Sequence, residues 1–468
     1  MLPDNVLLET FEFYLGKDDA ADIYIHHYNY DRWQILVHVC RRWRSIVFAS
    51  PRRLDLKLYC TPQRSVNSKT LESWPELPIV IDVYGSQSQV NATNVIAALR
   101  HHNRVCKISY SNRQHQDSPL LKEFAAIDEP FPALTVLLLF ALGSNVPVLP
   151  DSFLGGSAPR LRSLYLEGIP YPSIGTLLSS TTNLVQLSLW RIPHSGYIAP
   201  ETIVPCLSTL PTLESLILGF QHPRSLAHRA SRHLPPLTHV VFPNLTSLEF
   251  RGDSEYLEDI LSQIETPVLN RCFFCLFNQL VFDTQLLGYF IRRTETFMAS
   301  HALTARVECL DSSIWIELLE REQMVYDGWK IRLGISCQPL DWQLSALPQV
   351  LNSFLPSLST LESLRIEVRR YDWQDEIEVA GMQWRELLHL FASVNGVTLV
   401  HEDSVRLVAL ALQELAGERV TEVLPALRNL FLRTDSWQPS GPVKEAIEQF
   451  IATRRLYGHP VTVHYQDI

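Results

Sequence analysis

The chain has 468 residues, 46% of them hydrophobic and 19% charged, with a formal net charge of −10. That is too long for one ordinary core and too apolar for disorder, so two units or a repeat architecture are expected. The acidic balance excludes a general nucleic-acid-binding surface, which needs clustered Lys and Arg. The opening MLPDNVLLET lacks the basic start and cleavage site of a signal peptide, and no apolar run reaches the ~20 residues a spanning helix needs. Eight scattered cysteines fit a reducing compartment. A soluble cytoplasmic or nuclear protein is the expectation, with no nucleic-acid or membrane partner.

In chain order, LPDNVLLETFEFYL puts Val6, Leu7, Phe11 and Tyr14 at helical spacing behind Pro3, whose fixed φ suits a first turn. RWQILVHVCRRWRSIVFASP predicts a second amphipathic helix, with Ile35, Leu36, Val39, Trp43, Ile46 and Val47 as its apolar stripe and Pro51 as its stop. So small a pair of helices cannot bury its own apolar surface, which suggests a docking module.

These two segments, LPDNVLLETF and LVHVCRRWRSIVFASPRRLDL, resemble the F-box, in wording close to the large F-box family of mushroom-forming fungi; the resemblance covers about the first 55 residues. It implies a module that binds the adaptor subunit of a cullin-RING ubiquitin ligase. Carried over by position, the adaptor-facing residues are Leu2, Pro3, Val6, Leu7, Phe11, Leu36, Val39, Cys40 and Trp43. GKDDAADIYIHHYNYDR departs from the pattern by lengthening the connection between the two halves. Residues 1–55 are thus assigned to the F-box-like module and 56–78 to a connector.

From 79 to 468 one motif returns: PALTVLLLF, PRLRSLYLEGIP, TNLVQLSLWRIP, PTLESLILGF, PNLTSLEFRGD, PVLNRCFFCLF, then STLESLRIEVRR and PALRNLFLRTD. This is L-x-x-L-x-L, the strand signature of leucine-rich repeats. Its leading leucines at 134, 161, 184, 213, 245 and 269 step by 27, 23, 29, 32 and 24 residues. The usual range is about 20–29, so the repeats are irregular. NRVCKISY, WKIRLGISC and NGVTLVHED are weaker copies. Helical patterns lie between them, as in PETIVPCLSTL, SEYLEDILSQI, DTQLLGYFIRRTETFM and SVRLVALALQELA. The expected class is α/β: a short all-helical F-box, then an irregular leucine-rich-repeat solenoid with a curved parallel sheet backed by helices. Residues 275–358 read as degenerate repeats or an inserted subdomain, and VKEAIEQFIATRRL with PVTVHY reads as a C-terminal cap.

No catalytic constellation is present: no Gly-rich phosphate loop, G-x-S-x-G elbow or H-E-x-x-H pair. The CFFC at Cys272 and Cys275 lacks a second pair and sits in a repeat strand, and the histidine pairs His26–His27 and His101–His102 are poor chelates. No enzyme activity, metal or cofactor is expected. Residues interleaved with the inward leucines would line the concave sheet face as a target-binding surface: Tyr165, Glu167, Trp190, Ile217, Glu249, Arg251, Arg365, Glu367, Arg369, Phe431 and Arg433. With the F-box resemblance, these imply the substrate-recognition subunit of an SCF-type ligase, partnered by the cullin adaptor and an unknown target protein. An F-box scaffold working outside ubiquitination is the alternative.

Overall fold

A computed structural model describes residues 2–16, 32–61, 75–84, 92–112, 119–143, 145–223, 239–294, 303–320, 329–337, 340–354, 358, 361–369, 377–413, 417–433 and 440–466. The chain divides into two compact units, Met1–Tyr197 and Ile198–Ile468.

The first unit opens with three helices, α1 (Asp4–Leu15), α2 (Arg32–Val39) and α3 (Arg41–Ala49). The expected single second helix is therefore two. Cys40 is extended (φ −160°, ψ 167°) and its Sγ accepts from the Trp43 amide at 3.5 Å, capping α3. The break lets Trp43 sit 4.7 Å from the Phe11 ring, while Trp33 of α2 donates to the Lys57 carbonyl at 3.1 Å. Arg42 pairs with Asp4 at 2.6 Å and Arg53 with Glu12 at 3.1 Å, so these two arginines tie the module to itself.

A six-stranded, wholly parallel sheet follows: β1 (Leu58–Cys60), β2 (Ile79–Tyr84), β3 (Val105–Asn112), β4 (Val136–Ala141), β5 (Ser163–Glu167) and β6 (Gln186–Ile192), in chain order. The sheet thus begins inside the expected connector. Leu134, Leu161 and Leu184 are fully buried just ahead of their strands, and Leu137, Leu139, Leu164, Leu166, Leu187 and Leu189 point into the core. Each contributes about 1.5–3 kcal/mol, but only when neighbouring strands stack. Gly168 ends β5 at φ +70°, where any Cβ would lie 2.0 Å from the Ala141 carbonyl oxygen.

The second unit holds β7 (Ser215–Phe220), β9 (Ser247–Gly252), β11 (Arg271–Phe277), β12 (Leu303–Leu310), β13 (Ser313–Glu320), β14 (Trp329–Ser336), β15 (Ser363–Arg369), β16 (Gly396–Val400), β17 (Asn429–Arg433) and β18 (Thr462–Gln466) in one sheet. A separate two-stranded ribbon pairs β8 (Val240–Val241) with β10 (Ile264–Glu265). The main sheet runs β7-β9-β11-β14-β13-β12-β15-β16-β17-β18. Its strands pair in parallel except for β13, which is antiparallel to both β12 and β14. Within the region read as degenerate repeats or an inserted subdomain, β12, β13 and β14 form a three-stranded antiparallel insert, with the two-residue Asp311–Ser312 turn joining β12 to β13. Both of its outer strands run with the repeats they abut, so the sheet continues through it.

Helices cover one face of this sheet: Ser254–Leu261, Gln285–Arg293, Leu340–Leu351, Ile377–His389, His401–Gln413 and Gly441–Leu456. Buried Glu258 links two of them, its carboxylate accepting from the Leu286 and Leu287 amides at 2.8 and 2.7 Å and so capping the helix at Gln285. Gln343 ties the insert to its helix through the Leu310 and Cys337 carbonyls at 3.0 and 2.6 Å. The C-terminal helix is held by fully buried Arg454, which donates to the carbonyls of Val420, Leu424, Pro425, Leu427 and His459. Among the described residues, no helix is long and apolar enough to cross a membrane.

Candidate functional site

The β-ladder registers of the second unit set two rows of side chains across the face turned away from the helices. One row reads Ile217, Glu249, Phe273, Arg332, Glu317, Arg306, Arg365, Thr398, Phe431 and His464. The next reads Arg251, Cys275, Gly334, Trp315, Glu308, Glu367, Val400 and Arg433. Of the expected target-binding residues, Ile217, Glu249, Arg251, Arg365, Glu367, Arg369, Phe431 and Arg433 fall on this one face. Tyr165, Glu167 and Trp190 belong to the first unit, where the Tyr165 hydroxyl donates to the Glu167 carboxylate and Glu167 stands in register with Trp190.

At the centre of the face is a network of four arginines and three glutamates. Glu367 accepts from Arg306 at 2.8 Å, from Arg365 at 2.5 Å and from Arg369 at 2.8 Å. Arg306 also reaches Glu317 at 3.4 Å, and Arg332 Nε stands 3.1 Å from the same carboxylate. Glu308 lies 3.7–3.8 Å from Arg306, Arg332 and Arg369. Period-two alternation builds this: Arg365, Glu367 and Arg369 are successive same-face residues of one strand, as are Arg306 and Glu308.

Burial and charge act differently on the two inner carboxylates. Burial pushes Glu367 up, but the hydrogen bond and charge of Arg306, with those of Arg365, outweigh it and hold the carboxyl below its ordinary value. Glu317 is raised: burial leads, and the nearby Glu308 and Glu367 charges help it overcome Arg332 and Arg306. Glu249 is also raised, by burial against the pull of Arg271.

Beside the network lies an aromatic patch. Trp315 sits 5.1 Å from Phe273, and Trp329 6.0 Å from it. The Arg271 guanidinium lies 4.1 Å over Trp329, and that of Arg332 4.6 Å over Trp315. Gly334 makes room for Trp315, since a Cβ there would come within 2.2 Å of the indole. A register shift between Leu318 and Leu319 skips Lys330, and Trp329 thereby joins Phe273 on the open face.

Two corrections follow from burial. Glu367 and Glu167, expected as contact residues, are both buried, and Glu367 is fully sealed beneath three guanidinium groups. In the N-terminal module, Leu7, Phe11 and Leu36 are core residues holding the helices together, whereas Leu2, Pro3, Val6, Val39 and Cys40 are exposed and Trp43 half-buried. Phe13, Tyr14 and Ile35 extend that exposed apolar surface.

Sequence reasoning missed Arg306, Glu308, Glu317, Arg332, Phe273 and both tryptophans of the patch. The alternation in LTARVECL and IWIEL was the available signal, but nothing local tells which strand neighbours which. Cys272 and Cys275 project to opposite faces of β11. Burial drives the Cys272 thiol well above its ordinary value and raises Cys275 to about 11. His102 bonds the Pro130 carbonyl at 2.9 Å, and His26 and His27 fall outside the described residues, as does most of the 16–32 insertion. No group of three or more potential metal ligands occurs among the described residues.

No protein-family model matches the chain, and no curated protein does. Among solved structures it is similar to the leucine-rich repeat-containing protein LegL7 from Legionella pneumophila. The two are 16% identical, and the match covers 73% of this chain and 97% of that one at a TM-score of 0.29. A likeness that slight carries no argument, so the repeat character of this chain stands on its own leucine layers and parallel strands.

Proposed function

We propose that this chain is a non-catalytic adaptor: its helical module docks on the adaptor subunit of a cullin-RING ubiquitin ligase, and its repeat sheet holds a target protein. The observation that supports docking is the surface the three helices leave uncovered. Leu2, Val6 and Val39, all assigned to the adaptor contact by the F-box resemblance, stay exposed together with Ile35 and Phe13. A module this small that leaves such residues uncovered calls for a partner. The observation that supports target capture is the Arg-and-aromatic face of the second unit, the residue types that dominate binding energetics at interfaces. The adaptor would bring target and ubiquitin-loaded enzyme together, supplying effective concentration rather than chemistry.

The test is a pull-down of the cullin adaptor by the full chain and by a Val6→Asp, Val39→Asp double variant. Both positions are exposed, so the variant should melt with the wild type while losing the adaptor. Substituting Trp43 would confuse the result, because that ring packs on Phe11. An adaptor that ignores the wild type, or binds the variant equally, contradicts the reading. Adaptor that co-purifies persistently without cullin would point instead to a scaffold outside ubiquitination.

A further inference from the structure

The network on the open face of the second unit is layered. Its arginine side chains are the exposed part, at 44% for Arg369, 25% for Arg365, 25% for Arg332 and 16% for Arg306. Its carboxylates lie beneath, at 9% for Glu308, 6% for Glu317 and 0% for Glu367. Formal charges there nearly balance, yet what solvent meets is guanidinium. Across strands β9 to β15 this face carries six arginines (251, 271, 306, 332, 365 and 369) against four glutamates (249, 308, 317 and 367). That surplus of two positive charges stands on a chain whose net charge is −10. The Nε atoms of Arg251, Arg306 and Arg433 are buried without a hydrogen-bond partner. Here the arginines are held in place by carboxylates below and aromatic rings beside them, so little side-chain entropy is left to lose on binding.

We propose that this face binds an extended, Asp- and Glu-rich segment of a partner protein laid across the strands. The proposal rests on the reading of this sheet face as the partner-binding surface and names the chemistry of what it binds. Carboxylate is what these guanidinium groups already grip from below, in the three-arginine cradle of Glu367. Six neighbouring strands at about 4.8 Å spacing span about 24 Å, the length of roughly seven extended residues. A nucleic acid would bring a phosphate at every nucleotide against a surplus of only two charges and a strongly acidic whole. An acidic peptide meets the arginines while its backbone and neutral residues cross the aromatic patch.

The experiment selects a random peptide library on the immobilised full chain, with counter-selection on an Arg251→Gln, Arg369→Gln double variant. Binding is then measured by anisotropy with a fluorescent peptide of alternating Glu and Gly, about eight residues long. A Lys–Gly peptide, a phosphoserine–Gly peptide and single-stranded RNA serve as comparisons. Expected are acidic sequences in the selected pool and salt-sensitive binding of the Glu–Gly peptide that weakens by roughly tenfold or more in the double variant. Arg419→Gln, an exposed change away from this face, should bind as wild type, and melting curves check that the double variant folds. Selected sequences that are neutral or basic, or a preference for the phosphoserine peptide or RNA, overturn the acidic chemistry while leaving a partner surface. A pool with no enrichment that the double variant abolishes overturns both. Neither result bears on adaptor docking, which the pull-down tests separately.

Discussion

The parallel repeats β4 to β6 and the antiparallel insert β12 to β14 solve the same packing problem with different side chains. In the repeats every strand is fixed from the core side, where Leu137, Leu139, Leu164, Leu166, Leu187 and Leu189 stack layer on layer. Their open face carries Leu138, Tyr165 and Ser188 in one row and Phe140, Glu167 and Trp190 in the next, with no arginine in either. The insert has the same inner layer in Ala305, Val307, Ile314, Ile316, Ile331 and Leu333, but its open face is built from arginines, carboxylates and a tryptophan. Trp315 is packed there, and Glu308 and Glu317 are sealed among arginines. The same apolar layer continues the solenoid through both regions; what sets the insert apart is the ionic and aromatic network on its second face.

The largest test of this contrast is Glu367→Gln. Removing the carboxylate leaves Arg306, Arg365 and Arg369 packed together without their shared counter-charge, and losing one member of a buried ionic group costs about 3–5 kcal/mol. Chemical denaturation should show that loss, and a cost below about 1 kcal/mol would mean the network is only a surface decoration. In the repeats, Leu187→Ala should cost about 2–5 kcal/mol through cavity formation, with no effect on peptide binding by the other unit. Gly334→Ala should cost about 1–3 kcal/mol, since the new methyl group collides with Trp315, and the change in indole fluorescence should report the displaced ring.

A smaller effect separates the two inner carboxylates by pH. Glu367 is held below its ordinary value of 4.5, so its contribution is present above that pH and is lost as pH falls through the folded value. Glu317 is raised above 4.5, so its contribution is present below that pH and is lost as pH rises through the folded value. The two slopes oppose each other. Glu317→Gln should therefore make the chain lose stability more steeply on acidification than the wild type does, as measured by melts across pH 4.5. An unchanged slope would contradict the assignment. The smallest change is Arg406→Gln, which breaks an exposed helical pair with Glu402 and should cost about 0.5 kcal/mol or less.

Much of the repeat fold was legible because the leucine signature reports the core side directly. Leu134, Leu161, Leu184, Leu213, Leu245 and Leu269 are all essentially inaccessible, and a strand follows each. The helices at Pro200, Ser254, Gln285 and His401 also lie where amphipathic stripes placed them. An inserted subdomain was one of the two readings of residues 275–358, but its strand order was not legible, because that order depends on which edges meet and alternation in a single strand is silent about its neighbour. Nor was the sealing of Glu367, since an Arg-x-Glu-x-Arg strand reads as a solvated ladder until Arg306 arrives from another strand. Cys40 hid the helix break because its neighbours on both sides are helical in pattern.

The central claim is that the open face of the second unit, around the insert, is where this chain meets its partner. Hydrogen–deuterium exchange on the full chain, alone and with the Glu–Gly peptide, tests it most directly. The account predicts added protection confined to segments 247–252, 271–277, 303–320, 329–336 and 363–369, with the helices of residues 4–49 unchanged. Protection on those helices or on the strands of the first unit, with the insert unaffected, would contradict it.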